Sequence, residues 1–175
     1  MPMETKKAIA DAFMLLMQKK SIDKITVKDI TESCGIARQS FYYHFQDTLD
    51  LVEWIVEQKV HQTVELSLEK QNPVDAIECF VQMAVEGYSM MKKLTNSQRH
   101  EQFQKMLIRS IETYLIKIIE HKHPDIPLSR SEAAAASRFY AFGIAGLLLE
   151  YSGNSKLDSH RLAEQICRFM SVPID

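Results

Sequence analysis

Residues 25–51 read ITVKDITESCGIARQSFYYHFQDTLDL, and the fold follows from this stretch. Thr26 precedes Asp29 by three residues, the spacing of a capping-box start in which the hydroxyl accepts from a backbone N–H of the first helical turn. Ile30 and Cys34 continue that short helix, and Gly35 ends it, because glycine takes the left-handed conformation past a helix end without strain. A second short helix follows from about Arg38 to Phe45. From Thr48 the residues Leu51, Val52, Ile55, Val56 and Val60 keep helical spacing to roughly Leu68. Two short helices around a glycine turn, running into a long one, make a helix-turn-helix. Such short helices bury too little surface alone and need a helical floor, with Phe13, Ile30, Ile36, Phe41 and Phe45 expected to fill the small core between them.

Working outward, Ala8, Ile9, Ala12, Phe13, Leu16 and Met17 form one stripe of a helix from about Glu4 to Lys19. Beyond the long helix, Asn72-Pro73 reads as an N-cap followed by proline at the first helical position. That helix runs through Ile77, Phe80, Val81, Ala84, Val85 and Tyr88 until Thr95 to Gln98 break it. The next carries Phe103, Leu107, Ile111, Tyr114, Leu115 and Ile118 and stops near His123-Pro124. Ser129 with Glu132 caps a very apolar helix to about Tyr151, and Asp158 or Ser159 caps a last one through Leu162, Ile166 and Phe169. The expected architecture is all-α with about nine helices: a helix-turn-helix head over residues 1–47 and a helical regulatory and dimerisation body over 48–175.

Composition agrees with this class and excludes others. The 175 residues are 46% hydrophobic and 25% charged, average globular usage, so the chain can bury a core. Five Gly and five Pro are few for an all-β fold with many tight turns. Cys34, Cys79 and Cys167 are far apart with no C-x-x-C spacing, so they are expected as reduced, buried thiols in a cytoplasmic protein. The longest uncharged apolar run, Phe139 to Leu149, has 11 residues, short of the roughly 18 that suggest a membrane span. The net charge of −2 is uneven: up to Gln46 there are seven basic against five acidic residues, and beyond it 14 against 18. A slightly basic head on an acidic body is compatible with nucleic-acid contact at one end.

Thr26, Asp29, Ile30, Gly35, Ile36, the run Phe41-Tyr42-Tyr43-His44-Phe45, and Leu51 together resemble the DNA-binding head of the TetR family of bacterial regulators, over about residues 5 to 55. A glycine turn, an aromatic Tyr-Tyr-His-Phe run and a long following helix occur here in order. The second short helix suits a major groove about 12 Å wide. Arg38, Gln39 and Ser40 lie in its first turn, where such motifs reach base edges. Arg38 suits guanine O6/N7 and Gln39 suits adenine N6/N7, which makes them the candidates for direct readout. Tyr42, Tyr43 and His44 suit phosphate oxygens, and the resemblance adds a thymine-methyl contact for Tyr43. Thr26, at a helix N-terminus, and Lys28, one turn on, are further candidates for DNA contact. Thr48 stands where the family often carries Lys, with Asp47 and Asp50 beside it; fewer cationic contacts weaken non-specific binding and flatten its salt dependence.

In the body, Ala133 to Ala136, Ala141, Gly143, Ala145 and Gly146 alternate with Phe139, Phe142 and Leu147 to Leu149 in a helix that is apolar nearly all round and must be buried on several sides. Phe139, Phe142, Gly143, Gly146, Leu147, Leu162, Ile166 and Phe169 are expected at a homodimer contact, as the resemblance implies, with closure of the protomer's own core as the alternative. A two-fold dimer presents two heads to a pseudo-palindromic site on double-stranded DNA. Trp54, Met83, Tyr88, Met90, Met91, Phe103, Met106 and Tyr114 lie where the family holds a small-molecule effector; Met adapts to irregular ligands, and the same positions also fit plain core. No polar constellation among them names a ligand. The phrase Phe45-Gln46-Asp47 through Asp50-Leu51-Val52-Glu53-Trp54-Ile55 and the short body resemble a subgroup that includes the activator of dihydroxyacetone kinase operons, some members of which answer to a protein co-inducer.

An enzyme is the rival class. There is no G-x-S-x-G, H-E-x-x-H, phosphate-binding glycine loop or paired E-x-x-H, so no catalytic residue, cofactor or metal is expected. His121 and His123 offer two imidazoles without a nearby third ligand. A third reading keeps the body as a partner surface and gives the head little or no DNA binding.

Overall fold

The computed structural model describes residues 2–122, 129–151 and 158–171. Within them the chain forms nine α-helices and no strand: α1 (Pro2–Lys19), α2 (Val27–Cys34), α3 (Arg38–His44), α4 (Thr48–Leu68), α5 (Pro73–Glu86), α6 (Tyr88–Thr95), α7 (His100–Lys122), α8 (Arg130–Tyr151) and α9 (Ser159–Ser171), with a 3-10 turn at Ile22–Lys24. The all-α architecture is the expected one. The caps read from the sequence are present. Thr26 and Asp29 close a capping box, Gly35 sits at φ 69° past the end of α2, and the Asn72 side chain accepts from Val74 N–H at 2.9 Å. Ser129 and Glu132 bond reciprocally, and Asp158 accepts from Arg161 N–H at 3.0 Å.

One boundary differs. The spacing from Pro73 reads as a single helix to Thr95, whereas the chain stops α5 at Glu86 and begins α6 at Tyr88. Gly87 forms the joint, and its own N–H and C=O bridge it, to the Met83 carbonyl at 3.0 Å and from Met91 N–H at 2.9 Å. Helix-like hydrogen bonds therefore cross the bend, and apolar periodicity survives it. Glycine weakens a helix interior by roughly 0.5–1 kcal/mol, which makes this the easiest point at which to turn.

Two apolar clusters hold the helices. The first gathers Ile9, Phe13 and Met17 of α1, Ile30, Phe41 and Phe45 of the head, Leu51, Val52 and Ile55 of α4, and Met91, Leu94, Phe103 and Met106 beyond. It crosses the boundary expected at residue 47, so the head rests directly on α4, α6 and α7. The second joins α4, α5, α7, α8 and α9 around Phe80, Val81, Ile111, Tyr114, Leu115 and Ala141. Within it the Tyr114 hydroxyl donates to the Ala76 carbonyl at 2.7 Å and lies 2.9 Å from Ser67 Oγ, which itself donates to that carbonyl at 2.9 Å. Burial of the phenol pushes its pKa well above the ordinary value. Three helices are thus pinned by one satisfied polar cluster inside the core.

Candidate nucleic-acid interface and body cavity

The head is built so that α3 has one buried and one exposed face. Phe41 and Phe45 are buried one turn apart, their rings 5.8 Å from each other, and Phe45 lies 5.8 Å from Trp54 of α4. That anchor turns Tyr42 and Tyr43 outward, 58% and 82% exposed. Arg38 and Gln39 are exposed in the first turn after Ala37, Ser40 is half-buried, and the His44 ring stacks edge-on to Tyr43 at 5.0 Å. Arg38, Gln39, Tyr42 and Tyr43 therefore project from one short helix and are exposed among the described residues.

The approach to α2 is fixed by Thr26. Its hydroxyl accepts from Asp29 N–H at 3.2 Å and donates to Asp29 Oδ2 at 2.7 Å, while its N–H donates to the same oxygen at 2.7 Å. These bonds, the backbone N–H foremost, and the Lys20 ammonium 2.9 Å away hold the Asp29 carboxyl far below the usual carboxylate range. Thr26 is exposed but its hydroxyl works as a helix cap. Lys28 projects to solvent on the following turn, 3.7 Å from Glu32. The sequence reading passed over Lys6, whose ammonium stands 5.1 Å from the Phe45 ring centre and 5.7 Å from that of Trp54. It adds a cation beside the end of α3.

Thr48, expected at the DNA surface, is instead buried, and its hydroxyl accepts from the Arg99 guanidinium at 2.9 Å. The reason lies in α4's cap: Asp47 accepts from Leu49 and Asp50 N–H at 2.7 and 2.9 Å, and Asp50 accepts from Gln46 N–H at 2.8 Å. With the start of α4 closed by its own carboxylates, Thr48 turns under the head toward the connection between α6 and α7.

A cavity of about 450 Å³ opens where the head meets the body. Met83, Met91 and Phe103 line it, as does Met90. Four other expected lining residues do not, and Met106 is buried in the upper core instead. Trp54 packs against Phe45 in the head, Tyr88 lies under the Lys92 ammonium at 5.7 Å from its ring centre, and Tyr114 belongs to the polar cluster of the lower core. In their place come Met14, Met17 and Gln18 of α1, Ile55, Val56 and Lys59 of α4, and Lys93 of α6. The α1 residues carry no sequence signal for this role, because their apolar spacing is that of a helix packed in the head and only the tertiary fold brings its last turns to the body.

On the far side, α8 buries Ser137, Ala141, Ile144, Ala145 and Leu148 and leaves Phe139, Phe142, Gly143 and Gly146 exposed, a continuous stripe at i, i+3, i+4, i+7. Phe139 and Phe142 are 72% and 58% exposed, and Phe169 of α9 is 63% exposed. A Cβ added to Gly143 or Gly146 would meet nothing of the protomer within 4 Å. Leu162 and Ile166, expected at the subunit contact, are instead buried in the protomer's own core, because α9 lays that face against α5. Leu147 is half-buried.

None of the three cysteines is in a disulfide, and all are half-buried. Burial pushes the Cys34 and Cys167 thiols up, which keeps them protonated and slow to react. Asp75, Glu78 and His160 bring ligand atoms within 4.8 Å of one another, the one such group among the described residues. There His160 Nδ1 pairs with Glu78 at 2.7 Å, tying α9 to α5, and Glu78 raises the imidazole pKa above its ordinary value. Nδ1 of His121 lies 3.0 Å from the Lys117 carbonyl oxygen, and His123 falls outside the described residues. No helix among the described residues is long and apolar enough to cross a membrane.

Comparison with known proteins places these features in a family. Residues 9–55 match the family described as bacterial regulatory proteins, tetR family, and residues 71–171 match its transcriptional regulator C-terminal region. The dhaKLM operon transcriptional activator DhaS of Lactococcus lactis is 45% identical over 53 residues, which span 30% of this chain and 28% of that protein. The solved structure of a dihydroxyacetone kinase operon activator, DhaS, superposes with a TM-score of 0.70 at 26% identity, covering 95% of this chain and 93% of the other. The repressor AlkX of Dietzia sp. shares the fold, with a TM-score of 0.65 at 14% identity over 94% of each chain. With the head motif and more than half of the chain matched in the body, the protein belongs to the TetR family of bacterial transcriptional regulators.

Proposed function

We propose that the protein is a dimeric regulator that binds a pseudo-palindromic DNA operator through α3 and whose DNA affinity is set by a small molecule in the head–body cavity. The observation that carries this reading is the exposed face of α3, where Arg38 and Gln39 stand beside Tyr42 and Tyr43 over a buried Phe41–Phe45 anchor. Arg38 and Gln39 read base edges; Tyr42, Tyr43, His44 and Lys28 hold phosphates and set the register. The glycine and phenylalanine stripe of α8, with Phe169, supports pairing of two protomers, since a Cβ at Gly143 or Gly146 would meet nothing of the protomer within 4 Å and glycine permits a second helix to approach closely. Function by binding rather than catalysis fits the family.

The experiment is selection of random duplex DNA by the purified protein, followed by titration of the enriched sequence at two salt concentrations. An inverted repeat bound with a clear salt dependence is expected. A well-folded dimer that enriches no sequence would turn the reading toward a second one, a co-regulator that acts through protein contact. The observation favouring that alternative is the closed start of α4, where Asp47 and Asp50 cap the helix and Thr48 is turned away from the DNA side.

A further inference from the structure

We infer that the cavity takes a flexible, unbranched amphiphile with a single negative charge, and that Lys93 couples that charge to the DNA-binding head. The inference rests on the effector reading above and adds the chemical class and the group that senses it. Five methionines, Met14, Met17, Met83, Met90 and Met91, line the cavity together with Phe80 and Phe103. Methionine side chains follow the shape of a mobile chain better than branched residues do, so the wall suits an alkyl tail. The polar lining is unequal in sign: Lys59 and Lys93 face one carboxylate, Glu86. The lining therefore carries an excess of one positive charge, with Lys93 half-buried and Lys59 exposed.

Lys93 has a second engagement. Its ammonium donates to the carbonyl of Met17, a residue of the last turn of α1, where carbonyls lack partners within the helix. Met17 itself lines the cavity, and α1 carries the head core through Ile9 and Phe13. A carboxylate in the cavity makes the stronger, charge-assisted bond to Lys93 and competes with the Met17 carbonyl. Binding then removes this polar tie between α1 and α6, leaving the apolar cluster that Met17 shares with Met91 and Leu94 to hold them, and weakens the seat of the head on the body. A neutral molecule with the same tail fills the apolar wall and leaves the Lys93 to Met17 bond in place.

Calorimetric titration of the purified full chain with decanoate, 1-decanol and decyltrimethylammonium tests the class. Decanoate is expected to bind at least tenfold more tightly than either of the others, with about a fourfold gain per methylene from octanoate to dodecanoate. Among the three, only decanoate is expected to weaken binding to the selected operator. In Lys93→Met the preference for decanoate over decanol falls at least fivefold; Lys93→Gln, which keeps a donor for the Met17 carbonyl, gives the same loss should Lys93→Met fail to fold. Equal binding of decanoate and decanol, or unchanged decanoate preference in both Lys93 variants, overturns the inference. Nile red, a neutral apolar dye, separates this from the effector reading. Dye that binds wild type and is excluded by Met83→Trp, with no decanoate binding, removes only the charged class; neither bound removes the effector site as well.

Discussion

The Arg99 guanidinium donates to the Thr48 hydroxyl at 2.9 Å, tying the connection between α6 and α7 to the first residue of α4. In the same segment Gln98 N–H reaches Asp23 at 3.4 Å, just after α1. The connection between α6 and α7 therefore holds α4 at its start, directly beside the head. Thr48→Val keeps the shape and removes the acceptor. We expect a loss of about 1 kcal/mol in urea unfolding. A cycle with Arg99→Gln is expected to show coupling of roughly 0.5 kcal/mol or more, and additive effects would mean that the bond contributes nothing.

Direct readout is separable from backbone contact. Arg38→Ala is expected to cost about 1–3 kcal/mol and to relax preference at one base position, whereas Lys28→Ala weakens all sequences alike and lowers the salt slope by about 1. Titrations of the selected operator and its single-base variants at two salt concentrations measure both. An Arg38 variant that binds every duplex as the parent does would remove the residue from the interface.

The proposed subunit contact is tested by Phe142→Glu. Since Phe142 is exposed in the protomer, the variant is expected to keep its helix content, to sediment as a monomer and to lose operator affinity. Gly146→Leu is expected to behave the same way, because the protomer has room for its side chain. Dimers of unchanged stability in both variants would place the interface elsewhere.

The His160–Glu78 pair makes the α5–α9 packing pH-dependent. Glu78 raises the imidazole pKa in the folded state, so the pair's contribution is complete below the ordinary value of 6.5 and is lost as pH rises through the raised value. Asp29 has the opposite sign. Its lowered pKa gives stability that is present above the ordinary carboxylate range and lost only in strong acid. Thermal unfolding of His160→Gln beside wild type is therefore expected to show a Tm gap at pH 6 that narrows by pH 8. A gap of constant size would show that the ion pair is not its source.

Local chemistry determined much of this protein from the sequence alone. The capping pairs Thr26–Asp29 and Ser129–Glu132, the left-handed Gly35 and Asn72-Pro73 each act within four residues, so helix starts and stops could be read directly. The i, i+4 pair Phe41 and Phe45 likewise fixed which face of α3 turns inward and left Arg38, Gln39, Tyr42 and Tyr43 as the outward candidates. Tertiary structure decided what depends on partners far along the chain. Thr48 is drawn inward by Arg99, 51 positions away, and Lys93 reaches Met17 across 76. Leu162 and Ile166 face α5 rather than a second subunit, although their periodicity is that of any amphipathic helix. The cavity draws on five helices, with α1 reaching into it from the head. Apolar spacing marks which face of a helix is buried; only packing selects the surface it is buried against.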